Sequence, residues 1–152
     1  MAKHAEQRFL PYSPAQMYDL VADVDKYPEF LPWCVGARVR KRQGNEILAD
    51  LMIGFAIYRE RFTSKVTLAP PDEIRTEYTE GPFRYLQNRW RFIEQDGGCV
   101  IDFYVEFEFK SKILQKVIAG FFEEAVRRMV AAFEARARTL YGPPASNTVS
   151  AS

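Results

Sequence analysis

Glu60, Thr76, Tyr78 and Asn88 stand at every-second spacing among large apolar residues, and they are the groups in this sequence with chemistry to offer. Alternate residues of a strand share a face. If Trp90 and Phe92 point inward, Asn88 and Glu94 lie on their side. If Phe62, Val66 and Leu68 point inward, so do Tyr58, Glu60 and Ser64. Ile74 and Tyr78 bring Thr76 with them. A few polar groups on an apolar face can orient the polar head of an apolar ligand. Threonine, tyrosine and asparagine offer hydrogen-bond donors to a carbonyl, whereas an ionised glutamate offers none. Glu60 has a second account, a pairing with a neighbouring arginine at a sheet edge. Tyr58, Glu60 or Tyr78 could serve as acid–base groups in a cyclase, but a binding protein accounts for the same pattern. His4 is the sole histidine and lies near a terminus. No nucleophile motif, paired-carboxylate spacing, phosphate loop or metal-ligand cluster is present, so the expectation is a protein without catalytic residues, metal or covalent cofactor.

These groups need strands to position them, and the chain supplies strand after strand. Residues 3–9 alternate weakly. Ser13-Pro14-Ala15-Gln16 starts a helix, with Ser13 as cap, Pro14 in the first turn and Gln16 three after the cap; the helix turns Met17, Leu20, Val21 and Val24 inward and stops before Pro28. A short helical turn is expected over 27–31. Strands follow at 37–43, 46–53, 57–69, 73–79, 86–95 and 99–109. Their separators are Gly44-Asn45, Gly54-Phe55-Ala56, Pro70-Pro71-Asp72, Gly81-Pro82-Phe83 and Asp96-Gly97-Gly98. Connections this short require an antiparallel meander. The last strand alternates most cleanly, with Cys99, Ile101, Phe103, Val105, Phe107 and Phe109 on one face. From about residue 113 to 140 the apolar period becomes helical through Leu114, Val117, Ile118, Phe121, Phe122, Met129, Val130, Phe133 and Leu140. One helix of that length is roughly 40 Å long and must lie across the sheet. The resulting fold class is α+β, a curved antiparallel sheet of about seven strands wrapped round a long C-terminal helix. Residues 1–141 form one domain, and 142–152, small and polar, form a disordered tail.

The chain has 152 residues, 21 Lys plus Arg against 20 Asp plus Glu, and 14% aromatics. Balanced charge argues against a dedicated nucleic-acid binder, though not against a local basic patch. The aromatic content exceeds what a core alone requires and points to a lined cavity. Cys34 and Cys99 form no metal spacing or disulfide framework, which fits a reducing compartment. With no signal region and no apolar run of membrane-spanning length, a cytoplasmic protein is expected.

The segment Tyr27-Pro28-Glu29-Phe30-Leu31-Pro32-Trp33-Cys34 is rigid and apolar, so it either closes the core or lines a binding site. Together with Gly81-Pro82-Phe83, Leu86 and the Trp90-x-Phe92 pair, it resembles the coenzyme-Q-binding family. That family has the helix-grip fold of the START and birch-pollen-allergen superfamily, and its bacterial members include ribosome-association toxins and polyketide cyclase-like proteins. The resemblance covers roughly residues 3–140. It implies a lipophilic pocket for ubiquinone or a related polyprenyl lipid, and a respiratory role as carrier or chaperone. It leaves ribosome contact through a toxin-like activity, or a small cyclase, as alternatives. The expected ligand contacts are Phe30, Leu31, Trp33, Tyr58, Glu60, Phe62, Thr76, Tyr78, Asn88, Trp90, Phe92, Phe103, Val105, Val117, Phe121, Phe122 and Met129.

Alternate turns of a meander share one end of the sheet. The apolar tips at Phe55 and Phe83 therefore fall together, near Lys110, Lys112 and Lys116. Apolar groups beside lysines fit transient contact with the inner-membrane surface; the other account has the two phenylalanines folding back over the core. The outer-face cations Arg59, Arg61, Lys65, Arg75, Arg89 and Arg91 lie among Glu77, Asp102, Glu106 and Glu108, which fits cross-strand pairing or, alternatively, a local ribosomal-RNA contact. Arg127, Arg128, Arg136 and Arg138 are expected on the solvated face of the long helix.

Overall fold

A computed structural model describes residues 2–55, 58–70, 72–120 and 122–142, with backbone alone at Ala2, Phe55 and Tyr58. Seven strands form one antiparallel sheet in the order β1-β7-β6-β5-β4-β3-β2: β1 Ala2–Leu10, β2 Cys34–Gln43, β3 Glu46–Phe55, β4 Tyr58–Ala69, β5 Glu73–Glu80, β6 Phe83–Gln95 and β7 Gly98–Phe109. β1 and β2 occupy opposite edges, so the segment between them must cross the sheet. It crosses as helix α1, Pro14–Ala22, and a 3-10 turn over Val24–Glu29 that contains Pro28. The turn begins earlier than the sequence indicated, because Val24 continues the buried stripe of α1. The α1 start is as expected: Ser13 Oγ accepts from the Gln16 N–H, and Gln16 Oε1 accepts from the Ser13 N–H.

β7 buries every second residue from Cys99 to Phe109. Register shifts at Cys34/Gly36, Val39/Lys41, Thr63/Ser64 and Phe83/Tyr85 add local bends, and the sheet curls. Its concave face receives helix α3, Phe122–Tyr141, about 30 Å long. Among the described residues no helix is long and apolar enough to cross a membrane.

Three expectations need correction. The C-terminal helical segment is not one rod: α2, Lys112–Ala119, is capped at Gly120, and α3 starts at Phe122. Glycine disfavours a helix interior by about 1 kcal/mol relative to alanine, so the break falls at the weakest link. Leu140 is exposed, while Ala137 before it and Tyr141 after it pack inward. Arg136 is not solvated; it reaches Glu29 Oε1 at 2.7 Å and lies over the Phe30 ring. Of the outer-face cations, Arg75 and Arg91 share Glu73 and Lys65 meets Glu46, carboxylates other than the four expected, while Glu108 pairs with Arg84. The tail assigned to 142–152 lies, from residue 143 onward, outside the described residues.

Gly81 shows how tightly the β5–β6 turn is folded. A Cβ there would stand 2.8 Å from Phe62 Cβ, and φ is +142°. Gly44, at φ +59°, has open space around it. Gly44→Ala should cost about 1–2 kcal/mol for the left-handed backbone alone. Gly81→Ala should cost more, since it adds a clash to the strain. Urea denaturation midpoints of the two variants give the comparison; equal losses would mean that the turn can lift off Phe62.

Candidate functional site

The concave side of the sheet is not filled. A cavity of about 310 Å3 lies between it and the helices. Its floor is the inward face of β3 to β7: Leu51 and Ile53; Phe62, Ser64 and Val66; Ile74 and Thr76; Leu86, Asn88 and Trp90; Phe103, Val105, Phe107 and Phe109. Its roof is Ile118, Phe122, Ala125, Val126, Met129 and Phe133. The rigid segment closes one side with Tyr27, Leu31, Pro32, Trp33 and Cys34.

Why the space stays open follows from the roof residues. Phe133 fills its own position, meeting Trp90 at 5.0 Å, Phe30 at 5.2 Å and Tyr27 at 5.5 Å between ring centres. One turn earlier the same helix face presents Met129, and two turns earlier Val126 and Ala125, none of them an aromatic ring like Phe133. Interiors normally close-pack, so an apolar space of this size between fixed walls is a binding feature.

Leu31, Trp33, Phe62, Thr76, Asn88, Trp90, Phe103, Val105, Phe122 and Met129 line the cavity as the sequence indicated. Five expected contacts do not. Phe30 packs on Phe133 beneath Arg136. Phe92 faces Tyr18 of α1, at 5.9 Å, because α1 covers that end of β6. Tyr78 sits beside the cavity, its hydroxyl accepting from the Phe83 N–H and its ring edge-on to Phe83. Glu60 is opposite Ile53 near the end of β4, beyond the lining. Val117 faces out, since Leu114 and Ile118 take the inner face of α2. The side chain of Tyr58 and residue Phe121 lie outside the described residues.

Phe83 corrects the membrane expectation. It is 4% exposed and lines the cavity, stacked on Phe109 at 4.5 Å and edge-on to Phe62. The Gly81 turn folds onto Phe62 and draws Phe83 beneath it. The side chain of Phe55 lies outside the described residues. Lys110, Lys112 and Lys116 are exposed, at the same end.

The polar part of the lining is a short diagonal. Thr76 stands opposite Asn88, and Ser64 lies two residues from Val66, the cross-strand neighbour of Thr76. Ser64 is 1% exposed, and neither its Oγ nor Asn88 Oδ1 has a hydrogen-bond partner among the described residues. Buried polar atoms normally have one. The sequence placed Ser64 on the inward side but gave it no role; only the absence of a neighbour able to bond it marks it out, and that requires coordinates.

No Asp, Glu, His, Lys or Arg lines the cavity among the described residues. Its titratable groups are Tyr27 and Cys34, and burial pushes both upward, favouring the neutral forms. The Tyr27 hydroxyl donates to the Val21 carbonyl. Among the described residues there is no cluster able to hold a metal. The arrangement can hold an apolar molecule and offer its polar end a few neutral hydrogen-bonding groups.

Residues 10–134 match the polyketide cyclase/dehydrase and lipid transport family. The chain belongs to this family. Among its relatives is the ribosome association toxin RatA of Rickettsia prowazekii, 36% identical over 142 residues, covering 91% of this chain and 97% of that one. Another is the mitochondrial coenzyme Q-binding protein COQ10 homolog B of Xenopus laevis, 37% identical over 145 residues; the alignment takes in 92% of this chain and 59% of that longer protein. A START superfamily protein from Mycobacterium smegmatis superposes with a TM-score of 0.79 at 17% identity, covering 91% of this chain and 98% of that one. At that identity the likeness fixes the fold alone: the START-type helix grip expected from the sequence.

Cys34 gives a probe of this cavity. Burial keeps its thiol protonated at neutral pH, and Cys99, pushed up to about 11, is inaccessible in the core. Thiolate is the reactive form. Labelling by a thiol reagent should therefore be slower than for free cysteine at pH 8, should rise with pH, and should fall further when the cavity is occupied. Labelling at the free-cysteine rate would place Cys34 in open solvent.

Proposed function

We propose that the protein binds ubiquinone or a related polyprenyl lipid in this cavity, as a carrier or chaperone supporting respiratory electron transport. On this reading it acts on the cytoplasmic side, peripheral to the inner membrane, as a binder and not a catalyst. The observation that carries the proposal is the pair of unpartnered polar atoms, Ser64 Oγ and Asn88 Oδ1, set beside Thr76 in an otherwise apolar cavity. A quinone presents carbonyl acceptors, and its reduced form presents hydroxyl donors. Serine and threonine hydroxyls both donate and accept, and an asparagine amide donates at one end and accepts at the other. Such a neutral set suits both redox states.

The volume supports a head-inward placement. A cavity of about 310 Å3 equals about ten water volumes of ~30 Å3 each. A head group with a short stretch of prenyl chain fills that space, so a longer tail must leave it. The binder reading is supported by the lining's lack of charged acid–base groups and by the COQ10 relative. Lipids extracted from the native protein should include a prenylated quinone by mass spectrometry. Added quinone should quench Trp33 and Trp90, which both line the cavity. Ser64→Ala should leave the free protein as stable or up to about 1 kcal/mol more stable, since it removes an unsatisfied buried hydroxyl, yet weaken quinone binding several-fold. Extracts free of prenyl lipid with unchanged tryptophan emission would end the carrier reading.

Ribosome association is the second reading. It is favoured by the RatA relative, matched over nearly its whole length. The edge strand β2 also carries Arg38, Lys41 and Arg42, exposed and outside the ion pairs found among the described residues. A triple Arg38→Glu, Lys41→Glu, Arg42→Glu variant should lose co-sedimentation with ribosomal subunits, and tight wild-type sedimentation that survives the triple change would place the contact elsewhere.

A further inference from the structure

The stretch from Lys110 to Phe122 contains three lysines and no carboxylate; the nearest acids in sequence are Glu108, held by Arg84 at 3.2 Å, and Glu123. The stretch folds as α2, and the helix has two different faces. Leu114 is buried against Ile53, Phe109 and their neighbours, and Ile118 forms part of the cavity wall. On the flank beside that inner face stand Ile113 and Val117, 72% and 37% exposed, with Lys112 and Lys116 on the side facing away from the core and Lys110 just before the helix. Ile113 is the most exposed of the large apolar side chains among the described residues. It and Val117 are four residues apart, so they form one stripe and not scattered surface apolars. The three lysines enter no ion pair among the described residues.

The helix is fixed where it leaves the sheet. Ser111 Oγ accepts from the Leu114 N–H, Gln115 Oε1 accepts from the Phe109 N–H, and the Lys110 N–H donates to the Pro82 carbonyl. At its far end it stops at Gly120. The apolar stripe is thus presented rigidly on an outer surface, ringed by cations.

We propose that α2 is an interfacial helix that docks the protein on an anionic phospholipid bilayer. Ile113 and Val117 enter the boundary between headgroups and acyl chains, and Lys110, Lys112 and Lys116 meet the lipid phosphates. The chemistry selects this partner: an apolar stripe with flanking lysines matches a surface that is apolar beneath and anionic above. A nucleic-acid backbone would use the lysines but leave the isoleucine and valine in water. The proposal rests on the carrier reading, and names the surface through which the carrier meets its lipid. Because Ile118 on the inner face walls the cavity, the docked helix stands between bilayer and cavity, and a prenyl chain can pass along it without crossing bulk water.

The test uses the full chain with phosphatidylcholine vesicles, with or without a third of phosphatidylglycerol. Each lysine near an anionic surface contributes about 1 kcal/mol, roughly fivefold in partitioning. Lys112→Gln with Lys116→Gln should therefore lose about 25-fold on anionic vesicles and little on neutral ones, and the difference should fade at high salt. Ile113→Ser with Val117→Ser should lose about tenfold or more at every salt concentration, in line with lost apolar burial. All four positions are exposed, so melting temperatures should stay within a few degrees of wild type. Quinone titration of Trp33 and Trp90 in detergent should be unchanged. Equal binding of wild type to both vesicle types, or vesicle binding untouched by either double variant, overturns the proposal. So does loss of ribosomal-RNA binding on lysine substitution with vesicle binding intact, which assigns the lysines to nucleic acid. Vesicle binding as described with a flat quinone titration supports the docking surface and removes the carrier reading, so the two fail separately.

Discussion

The contact on which the rest of the structure depends is Phe133 against Trp90. It pins the one long helix to the centre of a seven-stranded sheet, and it sets the height of the helix above the floor. Once that height is fixed by two large rings, every smaller residue on the same helix face leaves a gap beneath it. Toward the C-terminus the gap is closed from the side by α1, whose Met17, Tyr18, Leu20 and Val21 are buried. Toward the N-terminus nothing comparable lies under Ala125, Val126 and Met129, and the cavity is the consequence. It is a product of unequal side-chain size along one helix, not of loose packing, since its walls are themselves tightly interlocked rings such as Phe83 on Phe109 and Phe107 on Phe122.

The rigid segment before β2 completes the enclosure and bears some strain in doing so. Trp33 has φ of +71°, a conformation that bulky residues rarely adopt, at a cost of about 1–3 kcal/mol. The surroundings hold it there: the Trp33 carbonyl accepts from the Gly54 N–H at 2.8 Å, and a Cβ on Gly54 would crowd Val35 at 2.9 Å. Pro32 before it and the register shift after Cys34 leave the chain little freedom to relax. The strained residue is at the cavity wall and not in a remote turn, which is where such strain is retained when it shapes a site.

Much of this was legible in the sequence, because its signals were local. The cap at Ser13 with Gln16, the alternation of β7 and the turns at Gly44-Asn45 and Asp96-Gly97 each depend on residues within one element, and the observed elements follow them; the separators at Gly54-Phe55-Ala56 and Pro70-Pro71-Asp72 lie partly outside the described residues, and Phe83 belongs to β6. The errors share a different origin. Phe83 read as a turn tip and was placed at a membrane, but a glycine beside it let the turn fold inward against a strand some twenty residues away. Val117 and Leu140 fit the apolar stripe of one continuous helix; the break at Gly120 separates α2 from α3, and both side chains are exposed. Arg136 read as solvated, yet the ring of Phe30 and the carboxylate of Glu29, distant in sequence, meet it. Ser64 was on the correct face and unremarked, since a lack of partners is a property of three strands at once.

The distribution of charge ties cavity and surface together. The chain carries nearly equal numbers of acidic and basic residues, yet none lines the cavity among the described residues. Burying an ionised group without a partner is expensive, so a wall built only of neutral donors and acceptors keeps the concave face compatible with apolar matter while still marking one end of it. Among the exposed cations outside the ion pairs of the described residues are Arg38 and Lys41 on the β2 edge and Lys110, Lys112 and Lys116 at α2. α2 combines its lysines with the exposed Ile113 and Val117 and, through Ile118, contributes a wall to the cavity. A binder whose ligand lives in a bilayer needs a neutral interior and a cationic, partly apolar approach to it on the same element.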